Sequence, residues 1–275
     1  MKKPFLLLPI IVFGAASCTH TRYQIESLLT DAVDVTDITM DYENLQNLPE
    51  PVQRYFRYAV PDGHPHVRNL TLHHTGRFKR SRDAEWEDIR GDQYFSAARP
   101  SFLWIGTTKT FQAHDTYVED TGRLQVYLFG RIRIVNETGP HMDQGELLRW
   151  LGEAVWFPTA LLPRRGKSSE ASPGYSGRLE WSSIDNNTAR VDFEYNGISV
   201  WYIVTINNAG QITRLETERY MEEGRLERWE GRVSDYQQVN GMMVPMRIEA
   251  SWLLPDYTHT YAQFQVRSLE YNTEP

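Results

Sequence analysis

Hydrophobic residues alternate with polar ones along most of the chain beyond residue 66, and this period of two predicts β-strands. The alternation is clearest at residues 189–195, where every second residue is apolar. Asn196-Gly197 and Asn240-Gly241 supply the chemistry of tight hairpin turns between neighbouring runs. The runs that fit this pattern are residues 67–79, 86–97, 102–113, 116–119, 123–135, 177–184, 189–195, 198–206, 212–220, 226–236, 244–252 and 258–269.

Two segments follow the helical period of 3.6 residues instead. The first begins after Pro49, because proline suits the first turn of a helix. Its apolar stripe is Val52, Tyr55, Phe56 and Ala59. The second covers residues 143–157, where Asp143 and Glu146 have the spacing of a capping box. Its apolar stripe is Leu147, Leu148, Leu151, Ala154 and Val155. The apolar residues 151–162 suit a lid.

No linker divides the strands into two self-sufficient sets, so residues 48–275 are expected to form a single β-rich domain. The predicted fold class is mainly β with some helix (α+β). We expect a strongly curved antiparallel sheet, or half-open barrel, of about eleven strands, with the helices plugging or covering it.

Residues 1–17 have the features of a secretory signal peptide: two lysines, an apolar core and a small-residue cleavage site before Cys18. The site resembles a lipobox, although Ala15 stands where leucine is usual. This resemblance implies a bacterial lipoprotein whose Cys18 carries acyl chains such as palmitate. The alternative is ordinary signal cleavage beside an incidental cysteine. Residues 18–47 are mixed and polar, and are expected to form the lipidated N-terminus and a tether.

The location expected from the lipobox is the cell envelope, with the protein anchored to a membrane through lipid on Cys18. Thr19 follows the cysteine, where an aspartate would favour retention in the inner membrane of enteric-type bacteria. Threonine therefore favours the outer membrane, with the protein facing the periplasm. Cys18 is the only cysteine, so an internal disulfide is excluded. Loss of Lys2 and Lys3 with the signal lowers the net charge from −7 to −9, which argues against nucleic acid as a partner.

The histidines give little support for a metal site. His73 and His74 are adjacent on a predicted strand, so their side chains point to opposite faces. His64 and His66 flank a proline, and no neighbouring cysteine or helical histidine pair strengthens that site. No metal or cofactor is expected.

Three acidic residues of the second helix are the best catalytic candidates: Asp143, Glu146 and Glu153. Glu146 and Glu153 share a helix face, which could pair carboxylates for acid–base chemistry. Capping explains Asp143 and Glu146 without chemistry, and Glu153 is expected to be solvated. Residues 174–177 miss the nucleophile-elbow pattern by one position. These residues therefore favour a protein without catalysis.

Aromatic residues are abundant, with eight Trp, fifteen Tyr and eleven Phe. Taken singly, each is explained by core packing, but together they can line an apolar cavity. The residues proposed for such a ligand pocket are Phe102, Trp104, Tyr127, Phe129, Trp150, Trp156, Phe157, Trp201 and Trp252. Trp150 and Trp156 are placed at its mouth, and Trp104 and Trp201 in its wall.

Two stretches carry a family resemblance: residues 48–63, followed by Gly76-Arg77-Phe78, and residues 139–162. They resemble a bacterial family of unknown function, numbered 6544 or 6920, over most of residues 48–271. No known reaction comes with that family. The order of strands and helices after a lipobox is also similar to the periplasmic lipoprotein-carrier fold, in which a half-open barrel and covering helices hold acyl chains.

The function expected from the sequence is that of an exported lipoprotein that binds or carries a lipid or other apolar ligand in a β half-barrel. One alternative is an envelope interaction protein with a filled core and an exposed apolar patch. The other is a hydrolase that uses the helix carboxylates, which requires them to cluster in a cleft with perturbed pKa values.

Overall fold

The computed structural model describes residues 14–164 and 176–274. Within these residues the α-helices are α1 (Gly14–Thr30), α2 (Glu50–Ala59) and α3 (Pro140–Glu153). Short 3-10 helices cover Tyr42–Leu45, Ala154–Trp156 and Pro158–Leu161. None of the helices in the described ranges combines the length and the apolar character needed to cross a membrane.

The described strands all belong to one antiparallel sheet. Those before α3 are β1 (Asn69–Phe78), β2 (Glu87–Ser96), β3 (Ser101–Thr107), β4 (Phe111–Val118), β5 (Thr121–Leu128) and β6 (Ile132–Glu137). Those after it are β7 (Arg178–Ser183), β8 (Thr188–Tyr195), β9 (Ile198–Ile206), β10 (Ile212–Glu222), β11 (Arg225–Val239), β12 (Met242–Leu254) and β13 (Tyr257–Tyr271).

The sheet consists of two meanders joined in its middle. β1 to β6 follow one another to one edge, the chain crosses over through α3, and β7 to β13 return from the other edge until β13 pairs with β1. In the described chain β6 and β7 do not pair with each other, so the sheet is open. These observations confirm the expected fold class: mainly antiparallel β, with covering helices.

The sheet has thirteen strands, one more than the twelve runs predicted from the alternation, because residues 123–135 form two strands, while residues 102–113 and 116–119 regroup into two. Residues 102–113 divide into β3 and β4 around residues 108–110, whose polar side chains bond within the turn. Residues 123–135 divide into β5 and β6 at Phe129-Gly130, where both residues have positive φ angles of 50° and 66°. Gly130 therefore completes a hairpin turn within this run.

The position of α3 shows that the sheet is strongly curved. α3 contacts β5 and β9, which are nine strand spacings apart in the sheet order. Nine spacings cover about 43 Å on a flat sheet, whereas a helix of 14 residues is about 21 Å long. The sheet must therefore wrap around α3, which lies on its concave face.

α2, α3 and the 3-10 helices fill one end of the concave face with apolar side chains. Their fully buried members include Val52, Tyr55, Phe56, Leu147, Leu148, Trp150, Leu151, Trp156 and Phe157. Each buried indole finds a carbonyl acceptor, because an unpaired N–H is costly away from water. Trp150 Nε1 donates to Ser96 O and Trp156 Nε1 to Pro245 O, both at 2.9 Å. We call this region the filled end.

The start of α3 differs from the prediction. The helix begins at Pro140, after Gly139 with a φ of 117°, and no side chain caps it. Asp143 instead accepts a hydrogen bond from the Gly122 amide at 2.7 Å, which ties the first turn to β5. The predicted capping box is therefore wrong, since proline and glycine set the helix start three residues earlier.

The residues expected to form a tether pack onto the sheet. Val35, Met40 and Leu45 lie in the buried core, and Thr39 bridges to Pro65. These apolar positions are too sparse to show a period in the sequence. Most of the signal peptide, residues 1–13, lies outside the described residues, and α1 spans the predicted cleavage site. Cleavage, the domain boundaries and lipidation of Cys18 stay predictions.

Candidate functional site

Partly exposed aromatic rings line the concave face beyond the filled end. Phe78 contacts Phe111 and Tyr261, each with 6.2 Å between ring centroids, and Tyr261 stacks on Trp252 at 6.1 Å. Phe264 lies on β13 beside Gly76 of β1 and faces the same way. We call these five residues the aromatic wall. Their rings keep some solvent exposure, whereas the large side chains of the filled end have almost none.

Glycines allow aromatic rings to lie flat against the strands in this region. A Cβ atom at Gly91 would overlap the imidazole of His74, and one at Gly106 would overlap the indole of Trp104. At Gly231 the Cβ would lie 2.8 Å from the indole of Trp229. Strand glycines commonly mark such close approaches. Because the rings lie against the sheet, the space above them is left to α3 and to solvent.

Five charged residues meet between α3 and the sheet. Glu146, Arg149 and Glu153 come from one side of α3, Asp115 from β4 and Arg219 from β10. We call this group the charged cluster. Its position follows from strand alternation, because Asp115 pairs with Trp104 in the ladder and so points to the concave face.

Arg149 joins two of the carboxylates. Its Nη1 is 2.6 Å from Asp115 Oδ2, and its Nε is 3.1 Å from Glu153 Oε1. Gln93 adds a 2.5 Å hydrogen bond to Glu153 Oε2. The guanidinium also lies 4.8 Å from the Trp104 ring centroid, a cation–π distance. Asp115 and Glu153 are therefore both paired with Arg149, and none of the hydrogen bonds of that guanidinium in the described structure goes to Glu146.

Glu146 lacks such a partner. It is 4 % exposed, and its Oε2 atom has no hydrogen-bond partner among the described residues. Burial, followed by the negative charge of Asp115, raises the pKa of Glu146 to about 8 against the opposing effects of Arg149 and Arg219. The carboxyl is therefore protonated and neutral at pH 7.

Arg219 is the second unpaired member of the charged cluster. No hydrogen bond or ion pair joins it to another described residue, and its Nε is buried without a partner. The guanidinium carbon is 5.8 Å from the ring centroids of both Trp229 and Trp252. Since arginine keeps its proton in proteins, this is a permanent cation beside the aromatic wall.

His74 stays neutral in the same region. Its Nε2 accepts a 2.9 Å hydrogen bond from Trp104 Nε1, a group that can only donate. Burial, followed by the charge of Arg149, lowers the pKa of His74 to about 3. The proton of the neutral ring is therefore on Nδ1, which has no partner in the described chain.

The nine aromatic residues proposed from the sequence do not form one group. Four belong to the filled end, where at most 2 % of each side chain is exposed: Phe102, Trp150, Trp156 and Phe157. The two tryptophans expected at the mouth, Trp150 and Trp156, are among these buried residues. The segment expected to act as a lid is part of the same packed core, because Trp156 and Leu161 are buried.

The remaining five divide between the two faces of the sheet. Trp252 belongs to the aromatic wall, and Trp104 lies flat behind it. Tyr127 and Trp201 alternate with buried residues and so point to the convex face, where Arg190 covers Trp201 at 4.4 Å. Phe129 is 67 % exposed in the β5–β6 turn. Aromatic character alone could not assign a face to these residues.

The acidic residues and histidines considered as candidates from the sequence also lie at different places in the structure. Glu146 and Glu153 meet in the charged cluster, while Asp143 binds the Gly122 amide instead. Glu153 is paired rather than solvated, contrary to expectation. His74 points inwards and His73 outwards, as the alternation predicts.

No group of three metal-binding side chains exists among the described residues. The two ring nitrogens of His64 are hydrogen-bonded to backbone carbonyls. Of residues 174–177, which miss the nucleophile-elbow pattern by one position, 174 and 175 lie outside the described residues.

Asp115, Arg149 and Arg219 were not among the residues predicted from the sequence. For Asp115 and Arg219, the available signal was a charged residue at a position that alternation places on the apolar face of a strand. Asp115 lies between Ala113 and Tyr117, both buried, in that pattern. Such breaks in alternation are worth following as indicators of buried polar groups.

One family model matches residues 38–264, and it describes a family of unknown function (DUF6544). This is one of the two family numbers that the motifs of residues 48–63 and 139–162 indicated. No curated protein matches the sequence.

Several solved structures are similar in fold at low sequence identity. A LolA superfamily protein from Nitrosomonas europaea is 11 % identical, with a TM-score of 0.43, covering 82 % of this chain and 93 % of that one. An outer membrane lipoprotein-sorting protein domain from Vibrio parahaemolyticus is 8 % identical, with a TM-score of 0.41 and coverages of 86 % and 93 %. A DUF1329 family protein from Desulfovibrio piger is 8 % identical, with a TM-score of 0.41 and coverages of 76 % and 88 %.

Proposed function

Since the chain belongs to a family of unknown function (DUF6544), whose name assigns no activity, we propose a function from its own site. We propose that the protein is an exported envelope lipoprotein that binds a lipid or other apolar ligand against the aromatic wall, without catalysis. Lipid on Cys18 would anchor it to the outer membrane, facing the periplasm.

The observation that carries this proposal is the contrast in exposure across the concave face. The rings of the aromatic wall are partly exposed on a surface that curves around α3, whereas the filled end is closed. A ligand that covers such rings gains about 25 cal/mol per Å² of apolar surface removed from water. Concave surfaces with apolar walls and few polar groups are the usual form of small-molecule sites.

The test is mass spectrometry of the full-length chain, expressed in a bacterium with its own leader and purified gently. We expect the denatured mass to begin at Cys18 and to include acyl chains. We expect the native spectrum to show additional mass that an organic solvent extracts. Incubation with hexadecanol should restore that mass to the stripped protein.

Two results would contradict the proposal. A denatured mass that retains residues 1–17, or that lacks acyl chains, would remove the lipoprotein assignment. A native mass that stays ligand-free after incubation with hexadecanol would remove the carrier assignment.

One observation favours an interaction protein as the second candidate. Phe129, Ile132 and Ile134 are each more than half exposed on the hairpin that ends in the edge strand β6. Exposed apolar edge strands invite pairing with another chain. Ile132→Lys should then abolish capture of an envelope partner, whereas ligand binding at the aromatic wall would be unchanged.

The raised pKa of Glu146 keeps a hydrolase as a third candidate, because a carboxyl that stays protonated near neutral pH can serve as a general acid. Glu153, however, is occupied by Arg149 and Gln93. Ester hydrolysis that is lost in Glu146→Gln would support the hydrolase over the carrier.

A further inference from the structure

We propose that the apolar ligand carries an anionic headgroup, a carboxylate or a phosphate, and that Arg219 binds this group. The inference rests on the proposed function and names the chemical class of ligand that the site selects. Its basis is a cation left without a partner where the aromatic wall meets the charged cluster.

Arg219 differs from Arg149, the other cation of the charged cluster. Arg149 has a 2.6 Å contact with Asp115 and a 3.1 Å contact with Glu153, so its charge is balanced within the fold. Arg219 forms no hydrogen bond or ion pair with any described residue, and its Nε is fully buried. An N–H group that is buried without a partner is costly, and because Arg219 as a residue is only partly buried, a ligand can reach its guanidinium.

The nearest acidic group does not neutralise Arg219. Glu146 faces it from α3, but forms no ion pair with it in the described structure and is protonated at pH 7. Asp115 and Glu153 are shared with Arg149. A guanidinium in this state offers a planar set of donors that fits carboxylate and phosphate oxygens.

The location of Arg219 connects the anion site to the apolar site. Its guanidinium carbon lies 5.8 Å from the ring of Trp252, which belongs to the aromatic wall, and 5.8 Å from the ring of Trp229. Trp229 Nε1 in turn donates to Tyr261 Oη at 3.0 Å, so this indole is held against the wall. A ligand whose tail covers the wall would therefore bring its headgroup to Arg219.

The experiment compares three probes of equal chain length on the whole protein: palmitate, hexadecyl phosphate and hexadecanol. Binding is followed by tryptophan fluorescence, at pH 6.5 so that Glu146 is protonated. We expect an anionic probe to bind wild type about tenfold or more tightly than hexadecanol, because hydrogen bonds to charged groups are worth more than neutral ones. The order of palmitate and hexadecyl phosphate identifies the headgroup.

Arg219→Gln should remove this preference while hexadecanol binding stays the same. The matched control is Arg190→Gln, because Arg190 also covers a tryptophan but lies on the convex face. Palmitate should raise the melting temperature of wild type and Arg190→Gln more than hexadecanol does, and should raise that of Arg219→Gln only as much as hexadecanol does.

The comparison of probes on wild type does not depend on any variant folding. Equal binding of palmitate and hexadecanol would overturn the anionic headgroup and leave the apolar site intact. Binding of none of the three probes would overturn the proposed function itself. A preference for the anions that Arg219→Gln and Arg190→Gln both retain would overturn the role of Arg219.

Discussion

The filled end and the aromatic wall are built from the same curved sheet, yet they have opposite properties. At the filled end Leu147, Leu148 and Leu151 of α3 press against the strands and exclude solvent. Towards the aromatic wall the same helix presents Glu146 and Arg149 instead, above rings that lie on glycines. One helix thus closes the filled end and leaves the aromatic wall partly exposed. We expect the filled end to contribute most of the stability and the aromatic wall to bind the proposed ligand.

The largest effect is expected where the two regions meet. Arg149→Met would leave Asp115 and Glu153 buried without their shared cation, which costs about 3–5 kcal/mol. Urea denaturation at pH 7 measures this loss. Adding Asp115→Asn and Glu153→Gln to the same protein should recover most of it. If Arg149→Met left the free energy of unfolding unchanged, its ion pairs with the two carboxylates would not contribute to stability.

A loss of stability of similar size is expected for a substitution inside the filled end. Phe157→Ala would remove a ring that packs 5.1 Å from Phe95 and 5.8 Å from Trp150, and should cost about 3–5 kcal/mol. Phe129→Ala is the control, because that ring is exposed. If ligand binding fell while stability did not, the division into a filled end and an aromatic wall would be wrong.

The glycine positions beneath the rings should have a moderate effect. Gly91→Ala would force the imidazole of His74 off the sheet and break its bond to Trp104, at a cost of about 1–3 kcal/mol. In a His74→Ala background the same substitution should cost little. The double-mutant cycle from urea melts checks this, and additive losses would exclude the contact as the cause.

The pH dependence of stability tests the neutral state of Glu146. Its pKa rises from 4.5 to about 8 on folding, through burial first and then the charges of Asp115 and Glu153, opposed by Arg149 and Arg219. The stabilising contribution of the protonated form is therefore complete below pH 4.5 and is lost as the pH rises through about 8. Between these two pH values, the free energy of unfolding should fall by up to about 1.4 kcal/mol for each pH unit. Glu146→Gln should flatten this slope, and an unchanged slope would refute the assignment.

The smallest effect on stability is expected in the aromatic wall. Trp252→Ala removes a partly exposed ring, so binding of hexadecanol should weaken by about tenfold (about 1.4 kcal/mol) while the urea midpoint changes less than in Phe157→Ala. Trp201→Ala on the convex face is the matched control. If Trp252→Ala and Trp201→Ala bound hexadecanol equally well, Trp252 would not be part of the apolar site.

The strands and α3 could be predicted because their apolar periods are long and regular. The turn at Phe129-Gly130 was missed because apolar residues flank it on both sides and hide the break in pattern. Val35, Met40 and Leu45 were missed for the opposite reason, since isolated apolar residues in a polar segment show no period. Local pattern thus reveals regular elements and overlooks segments that pack irregularly.

The candidate site was harder to predict because it depends on the pairing of distant strands. Asp115 and Arg149 are 34 positions apart, and only the crossing of α3 over β4 brings them together. Alternation could have placed Tyr127 on the convex face, opposite Val126, but residue type was given more weight than register. The charged cluster needs the register of β4 and β10 together with the rotation of α3, which no single segment contains.

The central pairing of the sheet also constrains when the protein can fold. β1 and β13 join Leu70 to Tyr271, so the middle of the sheet closes a loop of about 200 residues. Non-local pairing of this kind is slow to form. A chain that emerges with its amino end first can pair β1 to β6 locally, but it cannot close this seam before its last strand arrives. A chain exported as proposed would therefore complete its sheet only after nearly all of it had crossed.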